Sequence, residues 1–492
     1  MLKIVASRTK SGMFLSACLA VISSGIAAEK PNVLLICVDD LKPLLGCYGN
    51  KVIKTPNIDS LAARSVIFEN AYCNQAVCAP SRNALMTGLR PDTIGIYDLE
   101  TNFREAVPNA VTIPQAFMKA GYKTSALGKI MHVGHGNKED AASWSTPHWS
   151  PKAPPYALAA NIKIHRQLKG TERGPATESA DVPDDFYGDG KTTLETIKRL
   201  REYGKFPNQP FFLAFGLTRP HLPFVAPKRY WDLYKRADIN LAEFRKAPEN
   251  APPFAGQEGG ELRRYHHMPA KGALPDDLQR ELIHGYYAAT SYADSQIGLV
   301  LKALDDLDLT KHTIIILWGD HGWHLGDHGF WCKHTNFEQA THIPFLIALP
   351  GNRTGEGKRT RAFVETVDLY PTLCELAEIP APPELDGQSL ANILRNPELS
   401  NKTHAFHVYP RSTKLGRAIR TSGYRFVEWK VPGAPRESAV LELYDMKNDP
   451  LETRNIAAND LATIKVMQEI LAHYPEAKPQ VKVNHRKVKS AR

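Results

Sequence analysis

The chain has 492 residues, 43% of them apolar and 23% charged, a soluble globular composition with length for one large core and a smaller unit. Its formal net charge is +9, but Lys3, Arg8 and Lys10 fall within residues 1–28, which carry no acid, leaving about +6. Residues 478–492 hold six Lys and Arg and no acid, so the body is near neutral and no nucleic-acid partner is expected.

The first element is a leader. A basic start, the apolar "MFLSACLAVISSGIAA" and small residues before Glu29 read as a secretory signal cut after Ala28. The expected destination is the periplasm or the medium. Leu15-Ser16-Ala17-Cys18 offers a lipoprotein alternative, against which the apolar run continues past Cys18. The run is short for a membrane anchor, and no later segment is long and apolar enough to span a bilayer, so the mature chain is expected to carry no integral membrane segment.

"NVLLICV" (32–38) is a continuous apolar run, as expected of a strand buried on both faces, and Asp39-Asp40 follow it directly. Cys78 then opens "CAPSRNALMTG", where Pro80 suits a first helical turn and Gly88 a stop. Cys78 is thus placed at a helix N-terminus with Arg82 one turn on, where dipole and guanidinium both favour negative charge. The short strand "TSAL" (124–127) leads to Gly128-Lys129 and His132. "FFLAFGL" (211–217) leads to His221. A three-to-four periodicity over residues 278–304 predicts a long helix. "HTIIILW" (312–318) leads to Asp320-His321, and "FLIAL" (345–349) is a further strand. Strands alternating with helices predict an α/β fold with a central, mainly parallel sheet.

Residues 141–185 and 236–276 read as long insertions over the site. Residues 404–446 alternate like antiparallel strands, and a helix near 459–473 closes the pattern. The expected organisation is a signal peptide over 1–28, a catalytic domain over 29–390, a small C-terminal α+β subdomain with an antiparallel sheet over 391–475, and a disordered basic tail over 476–492. Outside the leader the cysteines (Cys37, Cys47, Cys73, Cys78, Cys332 and Cys374) are scattered, without a C-x-x-C pair or a disulfide framework.

In an open α/β sheet the carboxyl ends of parallel strands form one edge, where ligands bind. Asp39, Asp40, Lys129, His132, His221, Asp320 and His321 all follow strands, so they are expected to converge there. Acids are rarely buried unpaired, so adjacent carboxylates at a strand end point to a metal. Oxygen donors suit Ca²⁺ or Mg²⁺, and His321 leaves Mn²⁺ or Zn²⁺ open. An esterified oxyanion fits beside it, with Lys129, Lys333 and Arg82 on its remaining oxygens.

Cys78-x-Pro80-Ser81-Arg82-x-x-x-x-Thr87-Gly88 resembles the type I sulfatase signature, and Gly128-Lys129, "NVLLICVDDLKPLLGCYG" and "GDHGWHLGDHG" resemble further motifs of that family. The similarity runs from about residue 31 to about residue 460. "GKIMH", "RPHLPF" and "DHGWHLGDHGFWCKHTNF" resemble the iduronate-2-sulfatase branch most. The resemblance implies an alkaline-phosphatase-like sandwich fold and hydrolysis of a sulfate ester, by attack of a Cα-formylglycine hydrate formed from Cys78 by a maturation enzyme. It implies one Ca²⁺ held by Asp39, Asp40, Asp320, His321 and residue 78. Arg82 would steady the hydrate, Lys129 and Lys333 would grip sulfate, His132 would act as base, and His221 would stand by the leaving oxygen. The branch suggests a 2-O-sulfated uronate within a sulfated carbohydrate, with Trp323, His324 and the 141–185 insertion shaping the sugar pocket. Two other readings stand beside it: a phosphatase or phosphonate monoester hydrolase on the same core, and a non-catalytic binder of sulfated glycans.

Overall fold

The computed structural model describes residues 30–351 and 356–482. The leader expected over 1–28 and the tail beyond residue 482 lie outside the described residues.

Seven strands make the central sheet: β1 (Asn32–Val38), β2 (Val66–Tyr72), β3 (Lys123–Gly128), β4 (Phe211–Leu217), β5 (Thr313–Gly319), β6 (Phe345–Ala348) and β7 (Arg359–Glu365), in the spatial order β7-β2-β6-β5-β1-β4-β3. All neighbours pair in parallel except β6, which runs antiparallel to both β5 and β2. The sheet is therefore mainly parallel, as the alternation of elements predicts.

The apolar runs are strands because both their faces are covered, and residues alternate between two cores. Val33, Leu35 and Cys37 of β1 join Phe212, Ala214, Ile314 and Ile316 on one face, over helices α1 (Cys78–Thr87) and Leu369–Leu376. Leu34, Ile36 and Val38 join Leu213, Phe215, Ile315 and Leu317 on the other. That second face packs under Leu200 of α2 (Gly188–Tyr203) and Ile297, Val300 and Leu304 of the long helix α3 (Asp276–Asp306).

A four-stranded antiparallel sheet follows, from His404 to Asp445. The helix Leu461–Leu471 covers it through Ile464, Met467 and Leu471. This sheet also braces the site. Arg411 donates from Nε to the Phe254 carbonyl at 2.7 Å and bonds the His334 carbonyl, fixing two segments that line the cavity described below. The expected disordered tail needs correcting at its start. Residues 478–481 run along the 92–97 segment: Lys478 N donates to Asp92 O at 3.0 Å, Val481 N to Gly95 O at 2.8 Å, and Tyr97 Oη to Lys478 O at 2.6 Å. Main-chain pairing holds them where composition alone suggested a free end. The six described cysteines outside the leader are all buried and unpaired with one another.

Candidate active site

The sheet brings the strand-end residues together by register. Val38 lies opposite Leu217 on one side and Gly319 on the other, and the ladder continues one step beyond. Asp39 N donates to Leu217 O and Asp320 N to Val38 O, each at 3.2 Å. Gly216 lets β3 close on β4, since a Cβ there would lie 2.3 Å from the Lys129 carbonyl oxygen. Lys129 is thereby set beside Asp39. The segment after β2 delivers Cys78 at the start of α1, whose expected stop at Gly88 is present as a left-handed C-cap (φ 69°).

Cys78 Sγ sits 3.5 Å from Asp39 Oδ1, 3.4 Å from His321 Nε2 and 3.9 Å from Lys129 Nζ. Arg82, fully buried, donates from Nε to Asp320 Oδ2 at 3.0 Å, from one terminal nitrogen to the Lys129 and Ile130 carbonyls at 2.6 and 3.0 Å, and from the other to Asp39 Oδ1 at 3.2 Å, that last nitrogen also lying 2.9 Å from Asp320 Oδ2 as an ion pair. Lys129 is paired with Asp39. Lys333 Nζ is 3.0 Å from Asp40 Oδ1 and 3.1 Å from Glu261 Oε2. His221 Nε2 is 3.4 Å from Glu261 Oε1 and 3.9 Å from Asp40 Oδ2. Asp39, Asp40, Asp320 and His321 are all at 0% exposure and form the floor. Above them a cavity of about 530 Å³ is lined by Cys78, Lys129, His132, His221, Glu261 and Lys333 with several neighbours.

Electrostatics follow from this burial. The environment expected at Cys78 was one that favours negative charge; instead burial first and Asp39 second push its thiol pKa up, against the pull of Lys129 and Lys333. Unmodified Cys78 is therefore a thiol near neutral pH, a weak nucleophile. Burial raises Asp40 to about 7, with Asp39 adding to the rise and Lys333 opposing it. Burial also disfavours charge on Asp39, but Lys129, His221 and Arg82 outweigh it and hold this carboxyl well below the usual range. Lys333, despite burial, is kept charged by Asp40.

The donor set fits a divalent cation. Ligand atoms of Asp39, Cys78, Asp320 and His321 lie within 4.8 Å of one another, as do those of Asp39, Asp40, Cys78 and His221. His321 Nδ1 faces the Gly322 carbonyl at 3.0 Å, which leaves Nε2 as the ligating atom. The carboxylates of Asp39, Asp40, Asp320 and Glu261 outnumber the cations Arg82, Lys129 and Lys333, so the cluster has negative charge left for a cation to balance.

A pH dependence follows. An acid whose folded pKa is raised favours folding below its unfolded pKa, a contribution lost as pH rises through the folded value. Ion-free protein should therefore lose stability between about pH 4 and about pH 7 through Asp40. A divalent cation bound there should reverse the sign, since Asp40 must shed its proton to ligate. Calorimetric titration of Ca²⁺ in buffers of different ionisation enthalpy should show proton release below pH 7, fading above it, with affinity rising over the same interval. Compared with Asp40→Asn, a parent whose apo stability climbs relative to the variant across this range would contradict the assignment; the comparison cancels His132, His334 and His407, whose lowered values favour a rise with pH.

Among the sequence-predicted residues, Trp323 does not line the cavity. It is fully buried, edge-on to Phe224 with centroids 6.2 Å apart, and lies under the Lys333 ammonium at 4.9 Å. It supports Lys333 rather than facing a sugar. His324 is likewise buried, its Nε2 2.9 Å from Thr335 Oγ1. The insertions do reach the cavity, through Arg173 from the first and Gln257, Glu261 and Arg264 from the second. Glu261 was not legible: it belongs to no strand, and an acid in a polar loop carries no signal of its own. Burial opposes its charge, but Lys333, then His221, hold it ionised.

Comparison with known proteins agrees with this geometry. Residues 31–379 match the family described as Sulfatase, and residues 326–478 match the one described as N-sulphoglucosamine sulphohydrolase, C-terminal. The chain is 36% identical to an iduronate 2-sulfatase of Mus musculus, over 87% of this chain and 91% of that protein. It is 32% identical to a sulfatase of Formosa agariphila, over 88% and 84%. Among solved structures, a 2-O GAG sulfatase superposes with a TM-score of 0.64 at 26% identity, covering 90% of this chain and 91% of that one. A phosphonate monoester hydrolase of Agrobacterium radiobacter shares the fold, with a TM-score of 0.73 at 22% identity over 91% and 96%.

Proposed function

Given that the chain belongs to the sulfatase family of sulfuric ester hydrolases, we propose that it removes sulfate from a 2-O-sulfated uronate in a sulfated carbohydrate. The observation that carries this reading is the setting of Cys78: a buried thiol of raised pKa between two paired lysines and four metal-type donors. The relatives named for iduronate 2-sulfate, at 35–36% identity, support the choice of sugar.

Asp39, Asp40, Asp320 and His321 would hold a Ca²⁺ that would supply positive charge to the sulfate, and a formylglycine hydrate formed at residue 78 would supply a nucleophilic hydroxyl. Lys129 and Lys333 bind the remaining sulfate oxygens, drawing on charges kept on by Asp39 and Asp40. Arg82 locks Asp39 and Asp320 in place and steadies residue 78 from below. His221 sets Nδ1 2.6 Å from the Leu222 carbonyl and Nε2 3.4 Å from Glu261; as the imidazolium, with a proton on each nitrogen, it would give the Nε2 proton to the ester oxygen that leaves. His132 takes up the proton that frees sulfate from the enzyme. Cys78 is converted by a maturation enzyme, and residues 1–28 export the chain to the periplasm or medium. No helix among the described residues is long and apolar enough to cross a membrane.

The test is sulfate release, by ion chromatography, from matured protein given a panel of sulfated disaccharides. The 2-O-sulfated uronates should exceed 6-O- and N-sulfated sugars by about 100-fold in kcat/KM. Preference for another position would overturn the uronate assignment, and faster hydrolysis of a phosphonate monoester would overturn sulfate as the substrate group.

A further inference from the structure

His132 makes a single side-chain hydrogen bond among the described residues. Its Nε2 lies 3.1 Å from Nδ1 of His135, and the two rings stack with centroids 5.4 Å apart and planes 15° apart. The other nitrogen of His132, Nδ1, is buried and has no hydrogen-bond partner. Both imidazoles border the cavity that contains Cys78.

The chain goes to some length to produce this pair. Gly134, His135 and Gly136 have φ of 130°, 53° and 97°, a run that only glycine adopts freely and that His, like Asn, tolerates at some strain. The turn folds His135 back over a ring three residues earlier. It is also braced. Gly134 and Asn137 exchange main-chain hydrogen bonds at 3.2 and 2.8 Å. Asn102 donates to Asn137 Oδ1 at 2.9 Å, and Arg104 grips Asp140 at 2.7 Å. His135 is exposed, so burial of its ring does not explain the construction.

One proton sits between the two nitrogens, and its owner decides the state of the buried one. If His135 donates, His132 carries its proton on Nδ1, a buried N–H with no acceptor, which folded proteins rarely leave. If His132 donates from Nε2, its Nδ1 is a bare lone pair. Burial, helped by Lys129, lowers the His132 pKa to about 3, so the resting ring is neutral and has one tautomer to choose.

We propose that His135 is a positioning residue: it accepts the Nε2–H of His132 and so fixes the ring and the tautomer that leaves the buried Nδ1 as a lone pair. The proton taken up in the reaction then arrives at Nδ1, while the bond to His135 holds the ring through both states. This rests on the reading of His132 as the base.

Two substitutions separate the hydrogen bond from the stacking. His135→Asn places an acceptor oxygen where Nδ1 stands and suits the backbone; His135→Phe keeps a ring and removes the acceptor. In matured enzyme, His135→Asn should stay within about 3-fold of the parent kcat, whereas His135→Phe should lose about 10- to 100-fold in kcat with KM nearly unchanged. Independently of turnover, the ¹⁵N shifts of His132 in histidine-labelled protein should report protonated Nε2 and bare Nδ1 in the parent and His135→Asn, and a mixed or reversed tautomer in His135→Phe. A parent His132 protonated at Nδ1 would overturn the proposal, as would a His135→Phe variant matching the parent in both readouts. His132→Ala tests the underlying role: if it stays active, the base assignment itself falls; if it is inactive while His135→Phe is unimpaired, only the positioning role falls.

Discussion

Cys78→Ala is expected to lower kcat/KM by roughly 10⁵-fold or more, the scale on which loss of a covalent nucleophile acts, while the fold survives. The sulfur contacts Asp39 and His321 at 3.5 and 3.4 Å but anchors neither. Asp39 is held by Arg82 and Lys129, and His321 by the Gly322 carbonyl. Removing one buried atom should cost about 1 kcal/mol, a shift of a few degrees in melting temperature at most. The pairing of a large catalytic loss with a small stability loss is the signature sought. A peptide mass for residue 78 completes it. Since burial and Asp39 keep the unmodified group a thiol, activity across preparations should scale with the fraction converted to formylglycine. Full activity from protein whose Cys78 is an intact thiol would remove the proposed nucleophile, whereas intact Cys78 without sulfate release in protein from its native host would reopen the phosphatase-type and glycan-binding alternatives.

The parts of this site that could be read from sequence are those tied to buried strands. A run such as "NVLLICV" is apolar because both sheet faces are covered, and the first polar residue after it is fixed at the strand's carboxyl edge. Asp39, Lys129, His221 and Asp320 were legible for that reason. Strand direction was not. "FLIAL" reads as a strand, but nothing in an apolar run says that it enters antiparallel to β5 and β2. Val66–Tyr72 gave a weaker signal, since Glu69 and Asn70 are half-buried and interrupt its pattern. Trp323 shows the opposite failure. An aromatic next to Asp320-His321 invites a sugar contact, yet the same apolar surface is satisfied by Phe224 and the underside of Lys333. Glu261 and His135 depend on loop geometry: one is brought in by a segment that Arg411 of the C-terminal sheet ties down, the other by three consecutive positive φ values.

Arg82→Met should be the most destabilising single change in the site, by about 3–5 kcal/mol, as expected when one partner of a buried charge network is removed. Arg82 makes four hydrogen bonds, to two carboxylates and two carbonyls, and a further ion-pair contact to Asp320, and neither Arg82 nor its acid partners is exposed. Methionine fills most of the volume and satisfies none of them. Arg82→Lys is no rescue, because an ammonium reaches at most three acceptors and lacks the planar fork that spans Asp39 and Asp320 together. Both variants should be measured first as unconverted protein, by denaturant unfolding, since Arg82 also lies in the motif through which Cys78 resembles a maturation target; conversion is then scored separately by mass. If the loss is one of charge, calcium should recover a larger share of stability in Arg82→Met than in the parent, because the exposed need of Asp39 and Asp320 for a cation is greater. Equal recovery in both would show that what Arg82 supplies is packing over Trp318, whose ring lies 5.8 Å from the guanidinium, and not the charge that holds the site's two acids in register.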